Sequence, residues 1–229
     1  MNNQLSTNPL NRYEDAAALL SQIGILPLAP LIPEHPSLVS LTSKDQWHTD
    51  LPSDPWGWRV RFPSSGAAAY GKFIKSKAVL IDRDWFPLVV AAAGGRGTVE
   101  QRYRDGLISK TARDIYEIVS QEEGIDTRKL RQASGMKAKE DKSAFDQAVT
   151  ELQGTMDIVI SGIQQKVNEA GEVNGWSATA YQSTERWMSL HRLQFEAQSK
   201  SRAAEELVSR LEEVCTAKAL AFLRKILSI

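Results

Sequence analysis

Two groups of side chains have the types and spacing to do chemistry. The first is Trp47-His48-Thr49-Asp50 with Trp56-Gly57-Trp58-Arg59-Val60-Arg61, followed by Tyr70 and Lys72. Half of the six tryptophans fall in this stretch. Aromatic faces beside guanidinium groups suit a groove in which bases or another planar ligand stack while Arg59 and Arg61 meet phosphates, each stacked base contributing about 1 to 3 kcal/mol. The same residues equally suit a loop pinned by large apolar side chains, with arginines lying over the rings. His48 and Asp50 have the spacing of an acid–base pair, or of a local hydrogen bond in a loop. The second group is Lys137, Lys139, Lys142, Ser143 and Gln147, with Lys166 beyond them. Lysines suit phosphate oxygens, and Gln147 could make a bidentate contact to adenine. Glu140, Asp141 and Asp146 interleave with these lysines, and Glu169 and Glu172 lie beyond Lys166. A solvated face of mixed charge is the alternative reading.

Other chemistries lack their residues. His35 and His191 stand apart from His48, and no cysteine or histidine spacing suits zinc. Neither a Gly-x-Ser-x-Gly elbow nor a Walker loop occurs, and Gly94-Gly95-Arg96-Gly97 is too compact for a phosphate loop. Cys215 is the one cysteine, which excludes an intrachain disulfide, and its helical setting points to a buried thiol. No catalytic residue, metal ligand or cofactor is therefore assigned. Lys plus Arg and Asp plus Glu both number 28. With no net field, any affinity for nucleic acid must come from a local patch. No run is long enough to span a bilayer and the first residues lack the features of a signal peptide, so a cytoplasmic protein without membrane attachment is expected.

The elements that must position these groups follow from periodicity and punctuation. Ala16, Leu19, Leu20 and Ile23 recur at helical spacing and Gly24 ends that helix. Pro27, Pro30, Pro33 and Pro36 keep residues 25 to 41 mostly extended or turning over a surface. Tyr70 to Asp82 reads as two strands about a Lys75-Ser76-Lys77 turn. The glycines at 94 to 97 mark a boundary. Beyond them, Ser109 can cap a helix carrying Ala112, Ile115, Tyr116 and Val119 on one face. Asp126 or Thr127 can cap a second helix with Leu130 and Ala133, and a third carries Ala144, Phe145, Ala148, Val149 and Leu152. Strands from Asp157 to Val167 and from Trp176 to Tyr181 then form a hairpin. Three converging helices and a hairpin predict an α+β chain with a winged helix, a helix-turn-helix plus β-hairpin wing, alone or as one of tandem winged-helix-like units. A long C-terminal helix over Ser199 to Ile229 closes the chain. Its apolar stripe must be covered by the N-terminal half or by a second copy, making a homodimer. The expected division is residues 1–98, a helical, proline-rich and β-hairpin region; 99–190, the winged helix; and 191–229, the C-terminal helix.

Particular runs carry a family resemblance. Gly106-Leu-Ile-Ser-Lys-Thr-Ala-Arg-Asp-Ile-Tyr116, Thr127-Arg-Lys-Leu-Arg131, Phe145-Asp-Gln-Ala-Val-Thr-Glu-Leu-Gln153 and Thr184-Glu-Arg-Trp187 resemble the AlkZ/YcaQ-like winged-helix family. Trp47-His-Thr-Asp50, Trp56-Gly-Trp58 and Tyr70-Gly-Lys72 look like its shorter relatives. The resemblance covers roughly residues 12 to 190 and implies a winged-helix fold and a partner in DNA. Active members of the family are glycosylases that excise alkylated or crosslinked purines, and they place Gln-x-Gln or Gln-x-Asp after an early helix. The matching positions here are Pro27-Leu28-Ala29, which can neither position water nor stabilise a cationic sugar. The expectation is a non-catalytic DNA-binding or DNA-damage-recognition protein. The alternatives are a small-ligand-binding protein or enzyme using Trp47 to Lys72, and a protein-interaction module.

Overall fold

A computed structural model describes residues 9–165, 177–194 and 199–229. Among them the chain is α+β, with eleven α-helices and two three-stranded antiparallel sheets. It divides into two compact units, Met1–Gly94 with Leu193–Ile229, and Gly95–Arg192.

The first unit begins with α1 (Tyr13–Ile23), whose buried face is Tyr13, Ala16, Leu20 and Ile23. Gly24 closes it with φ +74°, a conformation that favours glycine, and its N–H returns to the Leu20 carbonyl. The chain then makes β1 (Ile25–Pro27), a single-turn α2 (Leu38–Leu41), a 3-10 turn at Lys44–Gln46, and α3 (Pro55–Ser65). The tryptophan-rich stretch, expected as a groove or pinned loop, is thus largely helical. Asp54 caps it, Pro55 supplies the fixed φ of a first helical position, and Gly66 ends it in the left-handed region. Next come β2 (Ala68–Ile74) and β3 (Lys77–Asp82), joined by Lys75 and Ser76 at φ +48° and +58°, the two-residue turn that matches strand twist. β3 lies between β1 and β2, with Ile25 opposite Ile81 and Tyr70 opposite Leu80. Pro27 is accommodated because β1 is an edge strand. The apolar α4 (Phe86–Ala93) follows.

The second unit contains α5 (Val99–Arg104), α6 (Lys110–Gln121), β4 (Ile125–Asp126), α7 (Thr127–Ala133), α8 (Lys142–Gly154), β5 (Ile158–Gln164), β6 (Ala178–Ser183) and α9 (Thr184–Leu190). Ser109 caps α6, accepting the Ala112 N–H, and donates its own hydroxyl and N–H to Glu151 of α8. That pairing fastens α6 to α8. Asp126 caps α7 by accepting from Arg128 and Lys129. The core gathers most of the apolar residues expected from periodicity: Ala112, Ile115 and Val119, then Leu130, then Phe145, Ala148, Val149 and Leu152, closed by Ile158 and Tyr181, with Tyr116 partly buried against it. Ala133 and Ala144 are exposed instead, on the solvent sides of their helices. Residues 166 to 176, including Lys166, Glu169 and Glu172, lie outside the described residues.

Both units run helix, short strand, helix, helix, strand, strand, helix, with α5 preceding the series in the second. In both sheets the third strand is central, in the orders β1-β3-β2 and β4-β6-β5. In that order α3 and α8 hold the same place.

The single C-terminal helix predicted over 199–229 is two helices, α10 (Lys200–Val214) and α11 (Ala217–Leu227). Cys215 is extended (φ −103°, ψ 150°) and Thr216 starts a new helix by accepting the Ala219 N–H. Both helices belong to the first unit, where α10 packs on α4. Lys218 pairs with Glu34 at 2.5 Å. Burial pushes the Cys215 thiol up to about 11, leaving it a neutral packing group at ordinary pH. Among the described residues no helix is long and apolar enough to cross a membrane.

Candidate nucleic-acid interface

The first group is built around Asp54, which is 3% exposed. One carboxylate oxygen accepts the N–H groups of Thr49 and Asp50 at 2.9 and 3.1 Å, and the other accepts that of Trp56 at 2.8 Å. Burial alone would raise its pKa, but the backbone donors together hold it below the ordinary carboxylate value. The loop so fastened carries His48 and Asp50 at φ +62° and +57°. The Trp47 indole donates to the Thr42 hydroxyl at 2.9 Å. The His48 ring lies 6.4 Å from Trp47 and 4.9 Å from Trp56, centroid to centroid. Arg59 places its guanidinium 3.5 Å over the Trp56 ring and hydrogen-bonds Tyr70.

The group therefore divides. Trp47 is half-buried, whereas His48 is exposed and Trp56 is 41% exposed. Trp58 is 2% exposed, donates its indole N–H to the Pro52 carbonyl and belongs to the core, as does Tyr70 at 5%. Arg61 lies over Tyr13 and pairs with Glu14 at 3.1 Å. Lys72 is exposed on β2. No hydrogen bond joins the side chains of His48 and Asp50, both of which have left-handed backbones. So shaped, the loop turns His48 toward the tryptophans.

The second group sits at the start of α8. Lys137 and Lys139 are exposed on the loop before it, and Lys142, Ser143 and Gln147 are exposed on the helix. The opposite face is buried through Phe145, Ala148, Val149 and Leu152. Lys142 pairs with Asp146 at 2.8 Å on the solvent side, the i,i+4 geometry expected of one helix face. Sequence reasoning missed Arg131, which donates to the carbonyls of Met136 and Ala138 at 2.8 and 2.6 Å and so shapes the loop that presents Lys137 and Lys139. Its position on the last turn of α7 was the only sign. The exposed aromatic part of the first group and the lysines of the second thus lie at, and just before, the N-terminal end of the helix that leads into the hairpin of their unit.

A separate cleft of 790 Å³ in the second unit is lined by Glu100, Glu117, Asp157 and Glu185, with Arg113 and Tyr116. Behind it Arg102, 3% exposed, pairs with Asp157 at 2.5 Å, and Thr155 also donates to Asp157. The Arg102 guanidinium lies against Gly95, where a Cβ would come within 1.3 Å of it. Burial raises the pKa values of Asp157 and Tyr116, and the Glu185 carboxylate raises both further. Four carboxylates against the guanidinium groups of Arg113 and the buried Arg102 leave the cleft acidic, which repels phosphate. Among the described residues no cluster of histidine, cysteine or carboxylates could hold a metal ion.

Pro27, Leu28 and Ala29, at and after the end of β1, carry no polar side-chain atom, and the Leu28 N–H is occupied by the Ala78 carbonyl at 3.0 Å. No curated protein and no solved structure matches the chain. A family model described as AlkZ related matches residues 10–228.

Proposed function

Since the chain belongs to the AlkZ-related family, we propose that it is a non-catalytic DNA-binding protein of the cytoplasm, built of two winged-helix units, that recognises damaged DNA. The observation that carries this reading is the exposure of Lys137, Lys139, Lys142, Ser143 and Gln147 around the N-terminal end of α8. In a helix-turn-helix, that end of the helix meets base edges and phosphates first. The shared strand order of the two sheets supports two units of one kind. The acidic residues beside the lysines limit the patch to a few phosphates.

Fluorescence anisotropy on a labelled duplex, with and without an abasic or alkylated site and at two salt concentrations, tests this. Binding that weakens with salt is expected. Reversal of Lys137, Lys139 and Lys142 to glutamate should flatten the salt slope by roughly one for each phosphate the protein no longer neutralises, similarly for every sequence. An unchanged slope removes these lysines from the interface. The same duplexes carrying methylated purines should keep their bases, and release above a no-protein control would end the non-catalytic reading.

A further inference from the structure

We propose that the exposed aromatic group at the start of α3 is a stacking shelf for an unpaired nucleobase. The inference rests on the DNA-binding reading above and gives it a second, chemically different site. Three observations carry it. Trp56 stands 41% exposed while Trp58, two residues on, is 2% exposed, so the fold buries one tryptophan and presents the other. The presented ring has flat neighbours, the His48 ring 4.9 Å away at an interplanar angle of 53° and the Arg59 guanidinium 3.5 Å over it. The loop supporting that surface is held by three N–H donors to Asp54 and keeps two non-glycine residues, His48 and Asp50, in the left-handed region.

The charge identifies the occupant. Arg61 and Arg12 are each paired with a carboxylate, at 3.1 and 2.8 Å. Among the described residues Arg59 has no carboxylate partner; it meets the Trp56 ring and the Tyr70 hydroxyl, and its Nε is buried without an acceptor. An uncompensated planar cation on an indole suits an electron-rich, planar, neutral group attached to a phosphate, and a nucleobase has that composition. Bases stack on indole faces and on guanidinium planes alike, with little sequence preference because every base has a π-face. The exposed Asp50, on the loop fastened to Asp54, opposes a continuous duplex backbone but not a single base leaving its stack.

The test uses the full chain and two labelled duplexes of equal length, one fully paired and one carrying a three-nucleotide bulge. The bulged duplex should bind about tenfold more tightly, within the range expected of base stacking on an aromatic. Trp56→Ala should bring it to the level of the paired duplex while changing paired-duplex affinity less than about twofold. Trp56→Phe, which keeps a flat ring, should retain most of the preference and guards against a folding defect. Equal affinity of the wild-type protein for the two duplexes overturns the shelf, as does a Trp56→Ala variant that loses both alike. Salt-sensitive binding without bulge preference defeats the shelf alone. Absence of binding to either duplex defeats the DNA reading with it.

Discussion

At the N-terminal end of α3, Trp56 and Trp58 have opposite fates because they are two residues apart on a helix, a rotation of about 200°. Taken as a loop, the stretch offered no way to separate them; as a helix it assigns Trp58 to the core and Trp56 to the surface. Side-chain type was legible there and direction was not. His35 shows a similar dependence on placement. Its spacing suggested no partner, yet Nε2–H donates to the Ile25 carbonyl at 2.7 Å, and burial lowers the pKa of the ring below its ordinary 6.5. The sign of its effect follows. As pH falls through that ordinary value the unfolded chain takes up a proton that the folded ring refuses, so the stability contribution is complete above it and is lost on the acid side. Urea midpoints should drop between pH 7.5 and pH 5.5, and drop less in His35→Gln, which can keep a donor to the carbonyl. An identical drop in the variant would assign the effect to other groups.

Among the elements, those with side-chain caps were the easiest to read. Ser109 and Asp126 cap where sequence placed them, and the apolar faces of α6 and α8 meet as their periodicity required, whereas α7 sends in Leu130 alone and leaves Ala133 exposed. The break between α10 and α11 was hidden because the apolar stripe continues in register across it, so only Thr216, a capping type, marked a new start. Arg102 and Asp157 are 55 positions apart, and no local pattern joins a helix to a strand at that distance. The junction of α1 and β1 gives a quantitative test. At Gly24 a Cβ would stand 2.2 Å from the Trp85 ring, at φ +74°. At Gly135 φ is +70° and nothing lies within 4 Å. Gly135→Ala should cost only the left-handed conformation, roughly 1 kcal/mol. Gly24→Ala adds a clash with a large packed ring and should cost about 2 to 4 kcal/mol by denaturant unfolding. Equal losses would mean that Trp85 moves aside without cost.

For the whole molecule, the main fact is that one unit is continuous in sequence and the other is not. Gly95–Arg192 brings its own core, whereas the unit begun by Met1–Gly94 also takes in Leu193–Ile229. Sequence suggested separate N-terminal, central and C-terminal parts, since a stripe on a helix says that it must be covered but not by which segment. In the structure α10 contributes Ala203, Leu207 and Leu211 to the buried interior and packs on α4. A chain ending at Arg192 should therefore keep slow amide hydrogen exchange in α6, α8 and the β5–β6 pair while losing protection in α4 and β1–β3. Undiminished protection of α4 in that variant would show that the returning helices are dispensable.

The same discontinuity gives the protein a timetable during its synthesis. Residues 95–192 leave the ribosome as a complete folding unit, while the strands and helices made before them still lack α10 and α11. At about 5 to 20 residues per second the delay between finishing α4 and finishing α11 is on the order of ten seconds. For that interval the side of α4 that α10 will cover is left without its partner, so aggregation of a stalled nascent chain is expected to start there.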